Sequence, residues 1–273
     1  MHRGFELGMS RMAFENELCA DTGISFSSYL NTGKSMFARY KQEVEGCIAA
    51  IRIDTESVID GNKVENSWFP KRQFHVFISH SHKDEELAIA YAGYLKKHMA
   101  LDAFVDSCVW GYRDQLIARL KSLLSASDNC CFRGNGKACK SVISHVDCML
   151  GKSLAEMEDS TECLMFMNTP NSVCVKHSIK QTYSPWIYAE LEVSRILRDV
   201  MDGRRTRMEK SACLESFSED KMFLMTHDLD TNHLKKLTTN DVKRWKKVAS
   251  SQNAFDSLDR LYEMSSKRQL VAS

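Results

Sequence analysis

From Pro70 onward the chain alternates short apolar runs with amphipathic stretches of helical length, and this alternation restricts the fold more than any other feature. Phe74 to Ile78, Ala103 to Val105 and Cys163 to Met167 are near-continuous apolar runs; Met222 to Met225 is a fourth, and His233 to Leu237 a weaker fifth. Between the first two, Leu87, Ala90, Tyr91, Tyr94 and Leu95 recur at the helical period. Leu116 to Leu124 and Ser144 to Met157 read as further helices, and Ser184-Pro185 opens another. A strand covered on both faces loses the polar alternation of a half-exposed one. Strands of that kind separated by helices belong to a parallel sheet with helical crossovers. The expected fold is therefore α/β, a doubly wound parallel sheet with helices on both faces.

The flanks read differently. Before Pro70, Met36, Phe37, Tyr40, Val44, Cys47, Ile48 and Ile51 form one helical stripe, and Asp60-Gly61-Asn62 reads as a turn. Residues 1–70 are expected to be a mainly helical extension and 71–241 the α/β domain, with a polar insertion near 128–144. Residues 242–273 form a second helical extension carrying Phe255, Leu258, Leu261 and Tyr262 on one face.

Charge and cysteine usage exclude several classes. Lys plus Arg total 37 against 36 Asp plus Glu, for a net charge of +1. That balance gives no overall attraction to nucleic acid or to an anionic membrane. No stretch approaches the roughly 20 apolar residues of a membrane span, and residues 1–14 lack a signal-peptide core. A cytoplasmic location with 10 reduced cysteines is expected. Cys130, Cys131, Cys139, His145 and Cys148 are the densest metal-capable group, but they lack the short paired spacing of structural zinc sites. They read as ordinary thiols, and no metal is expected.

In open doubly wound sheets ligands bind beyond the carboxyl ends of the strands, near the point where strand order reverses. That rule selects the segments Ser79 to Lys83, Ser107 to Arg113 and Thr169 to Ser184, with the helix beyond. On that helix, serine as N-cap and proline at the first position give a strong start. At about 100° per residue Trp186, Val193 and Leu197 share a stripe, and Glu190 falls near its centre. Glu192 falls on the side of Arg195 and Asp199. A carboxylate on an apolar face is rare unless it is paired or functional. Glu190 is therefore either a structural ion-pair partner or a catalytic group.

At these residues the chain resembles the TIR (Toll/interleukin-1 receptor) domain family, in the style of bacterial members acting in anti-phage defence. Val76-Phe77-Ile78-Ser79 with His82-Lys83-Asp84 is similar to the family's first strand and loop. Phe104-Val105-Asp106 followed by Trp110-Gly111 is similar to its second strand and BB loop. Ser184-Pro185-Trp186-Ile187-Tyr188-Ala189-Glu190 resembles its S-x-W-x-x-x-E signature. The resemblance covers about Gln73 to Asp241, and the insertion at 128–140 departs from a minimal member. It implies a flavodoxin-like sheet and NAD+ as substrate, with no other cofactor. It also implies cleavage of the nicotinamide–ribose bond by hydrolysis, cyclisation or ADP-ribose transfer, with Glu190 catalytic. Ser79, His80, Lys83, Trp110, Arg113 and Trp186 become the expected substrate-binding residues. Trp110 then either stacks on a base or serves as an ordinary loop anchor, and Lys83 or Arg113 either meets the pyrophosphate or is a solvated surface charge. As partners it implies self-association through TIR contacts and an effector protein or phage-derived trigger. The alternative is a TIR scaffold without catalysis, because the fold alone does not establish chemistry.

One further motif competes. His80-Ser81-His82-Lys83-Asp84-Glu85 is similar to the H-x-H-x-D-H run of metallo-β-lactamase-type hydrolases, but Glu85 stands where the last histidine would be. Gly134-Asn135-Gly136 lacks the strand–turn–helix context of a dinucleotide fingerprint and reads as a flexible loop.

Overall fold

Burial at almost every position distinguishes the strands Val76–Ser79, Ala103–Val105 and Cys163–Asn168, as expected where helices cover both faces. The computed structural model describes residues 3–51, 61, 64–65, 73–126, 136–176, 179–196 and 226–272. Its principal strands are β1 (Arg3–Gly8), β2 (Val76–Ser79), β3 (Ala103–Val105) and β4 (Cys163–Asn168). After these come three short strands, β5 (Cys174–Lys176), β6 (Ile179–Thr182) and β7 (His227–Asp228), then β8 (Lys235–Thr238). Five strands form an all-parallel sheet in the order β3-β2-β4-β1-β8. The short strands form a separate antiparallel sheet, β5-β6-β7.

The two faces carry separate cores. On one, Phe5, Leu7, Val76, Ile78, Met165 and Met167 meet helices Glu85–Met99, Thr239–Val248 and Ala254–Ala272. On the other, Phe77, Phe104, Leu164 and Phe166 meet helices Ser107–Ala126, Gly136–Ser160 and Pro185–Ile196. The chain steps from β2 to β3 through a helix on the first face and returns to β4 through helices on the second. Strand order thus reverses between β2 and β4.

Four expectations are corrected. Residues 1–70 do not form an extension apart from the sheet, because Arg3–Gly8 pairs with β4 on one side and β8 on the other. Phe5 and Leu7 fill one core, and two glycines and Glu6 between them hide the strand from an apolar-run reading. The segment after β3 is no loop: helix Ser107–Ala126 begins one residue after Asp106, whose Oδ1 accepts the Ser107 N–H at 2.7 Å. Gly111 costs such a helix about 1 kcal/mol, which burial of Tyr112, Leu116, Ile117 and Leu120 outweighs. Third, the 169–184 segment contains β5 and β6 instead of being loop throughout. Fourth, helix Gly136–Ser160 starts inside the expected insertion. The run Met222 to Met225, Asp60 and Asn62, and Cys130 and Cys131 lie outside the described residues.

Helix Phe26–Ala50 contains the expected stripe and crosses Glu85–Met99 at very short range. A Cβ on Gly93 would stand 2.1 Å from the Tyr29 carbonyl oxygen, and one on Gly33 equally close to that of Ile89. Glycine at both positions lets the two backbones touch. Because the obstacle is backbone, it cannot rotate away. Gly93→Ala is expected to lower stability by about 1–3 kcal/mol in urea denaturation. An unchanged midpoint would show that the helices separate freely.

Candidate functional site

The carboxyl ends of β2 and β3 and the helix carrying Glu190 meet in a buried polar cluster. In Pro185–Ile196, Ser184 caps the start, its Oγ accepting the Ile187 N–H at 3.3 Å. The buried positions are Ile187, Glu190, Leu191 and Ser194, spaced as one helical face. Glu190 faces inward as its position in the stripe requires, with Ile187 from the shoulder of that stripe buried beside it. Trp186 and Val193 are half-buried, and Leu197 lies outside the described residues. Glu192 is on the outer side, accepting from Arg195 at 2.5 Å.

Glu190 is 4% exposed, and its Oε2 accepts a hydrogen bond from Ser79 Oγ at 2.6 Å. No donor reaches its buried Oε1, but the carboxyl lies within hydrogen-bond reach of Asp106, to which it donates when protonated. Burial pushes the Glu190 carboxyl well above its ordinary value, and the neighbouring Asp106 carboxylate pushes it the same way. The Ser79 hydrogen bond opposes this, and Glu158 adds to it. Burial and the neighbouring Asp106 thus favour the neutral acid at Glu190. His80, also buried, places Nδ1 2.6 Å from Asp106 Oδ1. Burial disfavours its charged ring, but the Asp106 carboxylate and a backbone contact to Ile78 outweigh burial and raise its pKa. Folding thus favours the proton-bearing forms of both Glu190 and His80 around the Asp106 carboxyl group.

Of the expected binding residues, the structure brings Ser79 and His80 to Glu190 or its neighbour Asp106. Lys83 is exposed in the short 3-10 turn His82–Asp84. Arg113 donates Nε to Asp147 Oδ1 at 2.6 Å and Nη2 to Oδ2 at 3.2 Å, with Asp114 at 2.9 Å from Nη1. Its guanidinium is engaged by a fully buried aspartate instead of standing free at a strand end. Trp110 lies in the first turns of the Ser107–Ala126 helix, with its side chain outside the described residues. Trp186 packs against the second core. His80 is buried while His82 is exposed, so the alternating histidines do not converge. Among the described residues no helix is long and apolar enough to cross a membrane.

Sequence reasoning assigned no role to Asp106, Glu158, Glu6 or Lys180. Asp106 was legible as a carboxylate ending a strand, where the ligand rule points. Glu6 Oε1 accepts from Lys180 Nζ at 2.6 Å and from Asn168 Nδ2, and Lys180 also donates to Thr231 Oγ1 at 2.7 Å. Burial alone would raise the Glu6 carboxyl, yet Lys180 and Asn168 hold it below its usual range. The pairings Ser79 with Phe166 and Glu6 with Phe166 set these residues in one row on the Glu190 face.

Compared with protein families, with curated proteins and with solved structures, the chain finds no match.

Glu190 has its pKa raised by folding, so the stability tied to its protonated form is complete below its ordinary value of 4.5. That stability is lost as pH rises through the higher folded value. Glu190→Gln cannot ionise. Its unfolding free energy is therefore expected to gain on that of the wild type as pH rises from 5 to 9, by at most about 1.4 kcal/mol per pH unit. Parallel pH profiles for the two proteins would show that Glu190 is already ionised in the fold.

Proposed function

We propose that the protein cleaves the nicotinamide–ribose bond of NAD+ in the manner of TIR-type NAD glycohydrolases or cyclases, with Glu190 as the catalytic carboxylate. One observation carries this reading: Glu190 is buried at the carboxyl ends of parallel strands beside the reversal of strand order, with one carboxyl oxygen accepting from Ser79 and the Asp106 carboxyl group beside it. That is where such sheets bind ligands, and once ionised the carboxylate offers a substrate hydroxyl an oxygen that no protein donor reaches.

The chemistry follows from charge. The nicotinamide ring of NAD+ is cationic, and a cation beside Glu190 opposes the effects of burial and of Asp106, favouring the carboxylate. As the C1′–N bond breaks, its electron pair goes to nicotinamide, which leaves neutral and needs no acid. Positive charge moves to the ribose, as in glycoside cleavage. A carboxylate fixed by Ser79 stabilises that charge without reorganising. Water then adds to C1′, or an internal nucleophile does in cyclisation, and its proton passes to the carboxylate. Entry of the ring requires the elements over Glu190 to part.

That enclosure favours the second reading, a TIR interaction module without turnover in anti-phage signalling. Incubation with NAD+ at concentrations that drive assembly separates the two. Nicotinamide release is expected from the wild type, and about 100-fold or more is lost in Glu190→Ala. Absence of turnover in the assembled protein would leave the module reading; turnover that persists in Glu190→Ala would remove Glu190 from the chemistry.

A further inference from the structure

A groove of about 400 Å³ opens beside the buried cluster, between helix Phe26–Ala50 and the start of helix Ser107–Ala126. Small-molecule sites span roughly 300–1,000 Å³. Phe37 lines it from the first helix, and Tyr112 and Gln115 from the second. Lys34 and Lys41 stand about two turns apart on the first helix and line the same groove. Lys34 has no acidic partner among the described residues, and Lys41 reaches only Glu45, at 3.9 Å. Ser107 is 7% exposed and lines the groove with its Oγ lacking any hydrogen-bond partner. Buried hydroxyls are normally satisfied, so this one marks a place for a ligand atom. Glu85 is the single carboxylate of the lining and also acts on His80, tying the groove to the cluster.

Aromatic walls, an unsatisfied buried hydroxyl and a cationic rim together select a planar polar ring that carries an anion. A sugar phosphate would leave Phe37 and Tyr112 unused, and a lipid tail would bury Ser107 and Gln115 unpaired. We propose that the groove seats a mononucleotide unit, with its base against Phe37 and Tyr112, its polar edge on Ser107 and Gln115, and its phosphate toward Lys34 and Lys41. This assignment rests on the NAD+ reading to the extent that the unit is the half of the dinucleotide remote from nicotinamide. Helix Phe26–Ala50 supplies half of the site, and it lies outside the segment that resembles TIR domains.

Isothermal titration of the full chain with AMP and with ribose 5-phosphate tests the proposal. AMP is expected to bind about tenfold or more tightly than ribose 5-phosphate. The Lys34→Glu/Lys41→Glu double variant and Gln115→Ala are each expected to weaken AMP about fivefold or more at unchanged melting temperature. Glu190→Ala should bind AMP as the wild type does. Failure of AMP to bind overturns the groove, as does binding that the double variant leaves unchanged. AMP binding with these losses, in a protein that never releases nicotinamide, sustains the groove and removes the NAD+ reading alone.

Discussion

Insertion of the first strand between β4 and β8 is the constraint on which the rest of the sheet depends. β8 has no other partner in the five-stranded sheet, so without Arg3–Gly8 the sheet would end at β4. The same strand holds the far end of the chain. The Phe5 ring stacks on Tyr262 with centroids 6.2 Å apart, and the Arg3 guanidinium lies 4.1 Å above that ring. A parallel pair requires long crossovers, and this one joins residues at the start of the chain to partners more than half its length away. The closure entropy of so large a loop rises only slowly with length, and the buried apolar face of Phe5 and Leu7 outweighs it.

The same strand marks the limit of what the sequence showed. β2, β3 and β4 were legible because they are near-continuous apolar runs, and helix Glu85–Met99 because its apolar period is strong. Arg3–Gly8 was not, since a buried Glu6 between Phe5 and Leu7 looks like the outward residue of an exposed strand. Its burial depends on Lys180 and Asn168, which lie far along the chain and cannot be paired with it by local pattern. Helix Ser107–Ala126 was half legible. Leu116 and Leu120 announced its body, whereas Trp110-Gly111 suggested a loop that tertiary packing overrides. At the candidate site, the inward turn of Glu190 followed from helical angle alone. Its partners did not, because Ser79 and Asp106 come from other strands.

A neutral glutamic acid beside an aspartate is an unusual thing to bury. Two carboxylates that close cannot both ionise without penalty, and one proton between them removes most of it. His80 Nδ1 stands against Asp106 Oδ1, and Ser79 supplies the hydrogen bond for Glu190. Folding therefore favours the protonated form of Glu190. A cation arriving at the cluster and a rise in pH therefore act on the same group in the same direction, by favouring its ionised form.

The placement of Glu190 is a property of the whole chain more than of its own motif. Ser79 fixes the carboxyl group from β2, while Lys180, anchored on Glu6, fixes the strand that leads into the helix. From Lys180 the path is short: the Ser184 N–H donates to Thr182 Oγ1, and the Ser184 Oγ then caps the helix. Glu6 and Ser79 stand in one row across three strands, with Phe166 between them. At about 4.8 Å per strand they are roughly 10 Å apart, and the segment from Lys180 to Glu190 is anchored at both. A shift of β1 along its register would move Glu6 to the opposite face and withdraw the anchor of Lys180. The strand least visible in the sequence thus helps to set the position of the residue most visible in it.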